Sequence, residues 1–416
     1  MRKSVMAIFK VKDEVFFVKR QNHLRAFPGY TSFPGGKVDR GEELQAALIR
    51  ECHEELRYEI KNATKHLGIA ASPAFNPLRF EAHYFLVELN EKPNFIVDKN
   101  EIEYAFWATP DELVKKYQGG ELLLIPPMLR IMQRLLSSED SSEVAEFHSH
   151  CPEDKVPSLE TVYGVKQVMP LSYTVPPADR TNSFHIGDTL IDPSPKDEAE
   201  FIKFKNTLNL KDIHKIMLTH HHGDHHKFAP DLARELGVPL YLSEDTYQRI
   251  LKYDENYFVN IEIHFLKEGD VLTQWLGEDV KIMEVPGHDE GQLAPYPVSK
   301  RWFIAGDLFQ GIGTVVVGGD EGNMQKYFHT LNKVIQEDFK CVFPSHGIAL
   351  GGVHILAKTL EHRKMRESQV LEMHQKGLSL DEMLKAIYFD LPEKLIKYAK
   401  ANIQSHLDKL KTEEKI

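Results

Sequence analysis

The sequence predicts an α/β protein of several domains. Three observations carry the expectation. Short apolar runs at residues 215–218, 302–305 and 341–343 each end on a polar or glycine-containing loop, so they read as buried strands. Within residues 36–58, Leu44, Ala47, Leu48 and Cys52 fall on one helix face and carboxylates on another, the pattern of an amphipathic helix. A length of 416 residues fits about two to four domains, each able to bury a core.

The start of the chain, residues 1–10, reads as a first strand, and its apolar run is too short for a signal peptide. Residues 33–36 are Phe-Pro-Gly-Gly. Glu42 follows, and then Arg50-Glu51-Cys52-His53-Glu54-Glu55. Glu51, Glu54 and Glu55 stand at i, i+3 and i+4, so they share one helix face, read here as solvent-side. Like charges so close repel. A hard cation such as Mg2+ or Mn2+ removes the repulsion and bridges to a diphosphate. An acidic helix face alone is usually solvated surface. The preceding glycines with the placed Glu42 and Arg50 favour the metal reading.

This segment resembles the Nudix box, the signature of hydrolases that cut nucleoside diphosphates linked to another group. The resemblance covers residues 1–138. It implies that Glu51, Glu54 and Glu55 hold the cation, with Glu54 and Glu55 catalytic and Arg50 orienting the set. The family usually has glycine where this chain has Arg57, and a left-handed residue there costs about 1–2 kcal/mol. Upstream, Leu24-Arg25 and Pro28-Gly29 look like the extra motif of coenzyme A diphosphatases, with Gln21-Asn22 and Phe27 off pattern. A cluster of Lys19, Arg20, Arg25 and Lys37 would suit the phosphates of coenzyme A; the alternative is a loop that merely packs. Residues 101–112 resemble the closing strand and helix of such domains, and Glu101 or Glu103 could serve as a general base. Residues 128–132 belong to an amphipathic terminal helix.

Residues 137–143, Ser-Ser-Glu-Asp-Ser-Ser-Glu, are small, polar and acidic, which is linker chemistry. The linker is placed at 139–159. His148, His150 and Cys151 have metal-binding residue types, but with no fourth partner nearby they read as accidental.

Residues 219–226 hold five histidines, with the spacing His-x-His-x-Asp-His at His220, His222, Asp224 and His225. Side chains this polar beside a buried strand would disrupt the core unless a metal satisfied them. His221 and His226 fall outside the spacing and read as supporting or solvent-facing residues. His288 follows Val-Pro-Gly, Asp307 follows an apolar strand and Gly306, and His346 follows the strand at 341–343. In this order the residues resemble the metallo-β-lactamase superfamily of hydrolases, over residues 160–353. The resemblance implies two zinc ions. His220, His222 and His288 would hold one, and Asp224, His225 and His346 the other. Asp307 would bridge, and Asp224 also counts as catalytic. Zinc lowers the pKa of a bound water to about 7. A structural zinc site would favour four closed ligands, usually cysteines.

Beyond 353 the pattern turns helical. One helix runs from 354 to Gly377, a second starts with Ser379 as N-cap, and a third spans 393–410. This segment, 354–416, resembles the winged-helix-like tail of a hydrolase subgroup. Its acidic and basic residues nearly balance, so a packing or substrate-shaping role is preferred to nucleic-acid binding. The expected architecture is thus an N-terminal Nudix α/β/α sandwich, a central metallo-β-lactamase αββα sandwich and a small, mainly helical C-terminal segment.

Composition agrees: 42% hydrophobic and 27% charged residues decide against disorder. No apolar run approaches about 18 residues, so no membrane span is expected. Three cysteines give no disulfide framework, Cys52 and Cys341 read as small core residues, and a reducing cytoplasm follows. The net charge of −11 argues against non-specific nucleic-acid binding. The function expected is a bifunctional metal-dependent hydrolase of small molecules. One domain would cleave a diphosphate, with coenzyme A or its esters as the implied class, and the other a thioester or other ester. The alternatives are an RNA-processing enzyme, with an endoribonuclease zinc domain and a Nudix domain acting on nucleotide diphosphate ends, and a ligand sensor without turnover. The sensor is the weakest, because both ligand sets are intact.

Overall fold

The chain is described by a computed structural model covering residues 1–76, 78–137, 144–148 and 150–416. It divides into two compact units, residues 1–153 with 158–166, and residues 154–157 with 167–416. The expected linker at 137–143 falls outside the described residues except for Ser137.

The first unit is built on a mixed sheet. Its strands are β1 (Arg2–Val11), β2 (Glu14–Arg20), β3 (Thr31–Ser32), β4 (Thr64–Ala71), β5 (Phe80–Glu88), β6 (Ile102–Ala108) and β7 (Ala145–Glu146). The order is β3-β2-β1-β5-β4-β7, with β6 also on β2. β1 and β5 run parallel, pairing Arg2 with Phe80 through Lys10 with Glu88. Alternation along β1 sends Val5, Ala7 and Phe9 to one face, where α1 (Leu44–Leu56) buries Ala47, Leu48, Cys52 and Leu56. Ile8 points to the other face, which α2 (Pro110–Gln118) and α3 (Pro126–Leu136) cover with Leu113, Met128, Ile131 and Met132. Helices on both faces of one sheet make an α/β/α sandwich. α1 ends on Arg57 at φ 53°, in the left-handed conformation expected where the family has glycine.

The first unit continues past residue 138. β7 pairs with β4, and Phe147 packs into the core against Tyr84. Gly68 makes room for it: a Cβ there would lie 2.3 Å from the Phe147 ring. The chain then forms β8 (Ser158–Val162) and β9 (Val165–Val168).

In the second unit, β10 (Ser183–Ile186) and β11 (Thr189–Ile191) form a hairpin. β12 (Lys215–Met217), β13 (Leu240–Leu242) and β14 (Ile263–Phe265) add to β11 in parallel. Parallel neighbours need crossovers. α4 (Glu198–Thr207) and α6 (Ala229–Leu236) supply them, burying Phe201, Phe204 and Leu232 against Leu190 and Ile216. A one-turn helix, α5 (Gly223–His226), precedes α6, and α7 (Glu244–Tyr253) completes the layer. The antiparallel strands β15 (Val271–Trp275), β16 (Glu278–Glu284) and β17 (Leu293–Pro297) form another sheet. β18 (Phe303–Ile304), β19 (Cys341–Phe343) and β20 (Leu350–Gly351) form a third. Their core is closed by α8 (Met324–Gln336) and by Leu356 and Leu360 of α9 (His354–Gln375). Sheets carrying helices on separate sides give the αββα arrangement.

The tail is helical as expected. α9 stops before Gly377 at φ 75°, and Ser379 caps α10 (Leu380–Ile387) in a reciprocal box with Glu382. The third helix opens as one 3-10 turn at Glu393–Leu395 and becomes α11 (Ile396–Thr412). Among the described residues no helix is long and apolar enough to cross a membrane.

Phe147→Ala should destabilise the first unit by about 3–5 kcal/mol, the usual cost of truncating a buried phenylalanine. Denaturant unfolding of the full chain, followed by a probe in the first unit, measures it.

Candidate metal centres

Loops leaving strands assemble the centre of the second unit. β12 delivers Thr219 and His220, α5 carries Asp224 and His225, and β19 leads into His346. His288 follows Gly287, whose φ of 136° and backbone contact exclude any side chain: a Cβ would sit 2.4 Å from Tyr327 Cα. All seven residues singled out in the sequence converge. His220 Nε2 and His288 Nε2 each lie 3.0 Å from His222 Nδ1. His346 Nε2 lies 3.3 Å from Asp307 Oδ1 and 3.7 Å from Asp224 Oδ2. His225 Nε2 is 3.6 Å from Asp307 Oδ1, and His288 Nε2 is 3.7 Å from Asp307 Oδ2.

The opposite ring nitrogens are anchored to oxygen. His225 Nδ1 meets Asp192 Oδ2 at 2.8 Å, His346 Nδ1 donates to the Arg180 carbonyl at 2.8 Å, and His288 Nδ1 to the Val316 carbonyl at 2.6 Å. His222 Nε2 meets Glu321 at 2.8 Å, and His220 Nδ1 meets Thr219 Oγ1 at 3.0 Å. An anchored N–H fixes the tautomer and turns the other lone pair inward. Thr219 is held in turn by Asp192 through its N–H and hydroxyl, at 2.8 and 2.6 Å.

This donor set fits a pair of cations. Inward lone pairs of His220 and His288 each 3.0 Å from that of His222 repel, whereas ligand atoms about 2.0–2.1 Å from one tetrahedral zinc stand about 3.3 Å apart. His225 Nε2 and Asp307 Oδ1 are buried without a hydrogen-bond partner among the described residues. Ligand atoms of His220, His222 and His288 lie within 4.8 Å of one another, as do those of Asp224, His225 and His346, and Asp307 groups with His220 and His225. Electrostatics agree. Burial pulls the His225 imidazole down, yet Asp224, Asp307 and Asp192 outweigh it and raise it to about 10. Burial and the neighbouring imidazoles hold His220 well below the usual range.

His221 and His226 support the site from behind. Against burial, His221 is raised to about 9 by Asp289 and Glu321, which flank its two nitrogens. His226 bonds to Tyr257 and the His221 carbonyl, and burial lowers it to about 4. Sequence reasoning missed Asp192, Asp289 and Glu321. Asp192 carried a usable signal, since it ends an apolar strand as Asp307 does. Elsewhere, Glu146 lies near His148 and His150, their ligand atoms within 4.8 Å of one another, a third member the sequence did not suggest.

The centre of the first unit gathers on α1. Arg50 bonds Glu42 through Nε and Nη2 at 3.0 Å each, Glu51 at 2.8 Å, Glu54 at 3.3 Å and the Lys37 carbonyl at 2.8 Å. One guanidinium thus organises the carboxylates. The acidic face is not uniformly solvent-side, as the helical spacing suggested. Glu54 is exposed, but Glu55 is 3% exposed and accepts the Gly35 N–H at 2.8 Å. The Phe-Pro-Gly-Gly loop folds over the helix there: a Cβ on Gly36 would meet Glu51 at 2.2 Å. Burial raises Glu51, and it pushes Glu55 up to about 8 despite the Gly35 bond and the Arg20 charge. The Glu101 charge adds to both shifts. Glu103 instead pairs with Lys19 at 3.0 Å. Arg20 bonds the Ala26 carbonyl, while Arg25 is exposed and makes no ion pair among the described residues.

Comparison with known proteins assigns these units. Residues 1–125 match the NUDIX domain, residues 180–346 the metallo-beta-lactamase superfamily, and residues 379–416 the beta-lactamase associated winged helix domain. The chain joins a Nudix domain to a metallo-beta-lactamase domain. Both are hydrolase families that depend on metals. Hydroxyacylglutathione hydrolase of Bdellovibrio bacteriovorus is 30% identical over 142 residues, 34% of this chain and 51% of its own. The match therefore spans about half of that relative. Nudix hydrolase 3 of Caenorhabditis elegans is 30% identical over 162 residues, 38% of this chain and 64% of its own. A beta-lactamase domain protein from Burkholderia ambifaria shares the fold, with TM-score 0.54 and 18% identity over 64% of this chain and 91% of that one.

Glu55 predicts a pH dependence for the metal-free Nudix domain. Its pKa is raised on folding, so its contribution to stability is present below the unfolded value of 4.5 and is lost as pH rises toward 8. Wild-type stability minus that of Glu55→Gln should fall by up to about 1.4 kcal/mol per pH unit across that window. Denaturant unfolding in chelator between pH 5 and 8 measures it; a flat difference would refute the buried environment.

Proposed function

We propose that the chain is a bifunctional metal-dependent hydrolase. The metallo-beta-lactamase domain would cleave a thioester or related ester, and the Nudix domain a diphosphate linkage, with coenzyme A and its acyl esters as the substrate class. The observation that carries this reading is the convergence of His220, His222 and His288 beside Asp224, His225 and His346, with Asp307 between them.

His220, His222 and His288 would hold one zinc ion, Asp224, His225 and His346 a second, and Asp307 would contact both. When bound, such a pair supplies Lewis acidity and a water acidic enough to ionise near neutral pH. The protein contributes orientation. Asp192 holds His225 and Thr219, and the Arg180 and Val316 carbonyls fix His346 and His288. Asp224 keeps its carboxylate charged through the neighbouring His225 and His346, in spite of burial.

In the Nudix domain, Glu51, Glu54 and Glu55 would hold Mg2+ or Mn2+, hard cations suited to carboxylate oxygen. Arg50 positions them. Glu101, whose charge reaches Glu51 and Glu55, is better placed as general base than Glu103, which is paired with Lys19. Arg20 and Arg25 would meet the phosphates. The coenzyme A reading rests on Leu24-Arg25 and Pro28-Gly29, and an acyl group on a thiol is consistent with the similar hydroxyacylglutathione hydrolase. The winged-helix-like tail, 354–416, packs on the metallo-beta-lactamase domain, and a cytoplasmic location suits the buried thiols Cys52 and Cys341.

Asp307→Ala should abolish ester hydrolysis and leave the Mg2+-dependent diphosphatase intact. Incubation with acyl-CoA, free coenzyme A, nucleotide sugars and short RNA, with products identified by mass spectrometry, tests the substrate class. Cleavage of RNA alone would replace this reading with RNA processing.

A further inference from the structure

We infer that the C-terminal helices act as a clamp on the metal centre, through Asn402 and Arg363, and that these are positioning residues for the ion held by His220, His222 and His288. The inference rests on the metal-centre reading above. The loop at 315–321 touches two of those histidines. Its Val316 carbonyl accepts from His288 Nδ1 at 2.6 Å, and its Glu321 carboxylate meets His222 Nε2 at 2.8 Å. The loop is not part of any strand or helix, so neighbours must hold it.

Those neighbours are α9 and α11. Asn402 Oδ1 accepts the Val317 N–H at 2.9 Å and Arg363 Nη1 at 3.0 Å, while Arg363 Nη2 donates to the Val315 carbonyl. Gly318 lies so close to α11 that a Cβ would come within 2.4 Å of the Ala401 carbonyl oxygen. Arg363 is 3% exposed, and no carboxylate pairs with it among the described residues; its charge faces Asn402, Val315 and the Tyr327 ring. An unpaired buried charge is costly, and here its hydrogen bonds go to the loop and to the residue that grips it. The sequence places Asn402 over a hundred residues from His288, so only the fold reveals the link.

The test is zinc affinity of the full chain by chelator competition, with metal content by elemental analysis. Asn402→Leu removes the shared acceptor. Asn402→Asp keeps it. Gly318→Ala pushes the loop off α11. Met383→Ala loosens the tail core without touching the loop. Asn402→Leu and Gly318→Ala should weaken one of the two ions about 10–100-fold, the usual effect of losing an outer-shell partner, and leave the other unchanged. Asn402→Asp and Met383→Ala should resemble wild type. Wild-type affinity for both ions in Asn402→Leu and Gly318→Ala would overturn the clamp. Equal weakening of both ions, or an equal loss in Met383→Ala, would also overturn it by showing general loosening. Fewer than two ions in the wild type would overturn the metal-centre reading itself, and the clamp with it.

Discussion

The arrangement of the second unit follows from one constraint. Several imidazole lone pairs and carboxylates are forced to face one another out of water. Left alone, the imidazoles of His220, His222 and His288 repel, and two buried atoms, His225 Nε2 and Asp307 Oδ1, have no partner among the described residues. Such a cluster persists only where each ring is held from behind. The protein meets this with one oxygen per histidine, drawn from five places: Thr219, Asp192, Arg180, Val316 and Glu321. Sheet and loop geometry can be read outward from those anchors. Asp192 lies at the end of β11, beside the strand that delivers His220, so one carboxylate serves both Thr219 and His225. Parallel pairing of β11 with β12 makes that reach possible.

The converging residues were legible because they crowd in sequence or stand at strand ends. His220, His222, Asp224 and His225 lie within six positions, and His288, Asp307 and His346 each close an apolar run. Their supports were not legible, since a carbonyl has no residue signature and Glu321 lies 99 positions from His222. Helix boundaries came close for the same reason, as caps and left-handed glycines are local. Helical spacing also gives direction but not depth. It placed Glu51, Glu54 and Glu55 on one face, but the glycine loop covers Glu55 and leaves Glu54 in solvent. The extent of the first unit escaped too, because Phe147 joins its core only through β7, a strand of two residues.

Position on α1 divides the carboxylates into different kinds of group. Glu55 is immobilised by the Gly35 N–H, and burial favours its protonated form. Glu54 is exposed and, among the described residues, held by the longest of the Arg50 contacts. Glu42 takes two bonds from Arg50 and has its carboxyl lowered by them. Arg50 therefore pulls charge toward Glu42 and Glu51, leaving Glu54 the freest to move toward a cation. The three acids of the motif differ by environment, although they are alike in sequence.

The two centres then differ in what they ask of a cation. In the metallo-beta-lactamase domain the donors are mainly imidazole nitrogens on fixed loops, a set suited to borderline transition ions. The Nudix donors are carboxylates on one helix, organised by one guanidinium, which suits a hard ion that keeps part of its water. Rigidity follows the same division. A ring pinned through its far nitrogen defines a narrow site, so small shifts in an anchor change affinity. A carboxylate rotates and offers two oxygens, so the helix tolerates a looser second contact such as that of Glu54. The side chains of the two centres thus present different donor chemistry to a cation, whatever substrates the domains accept.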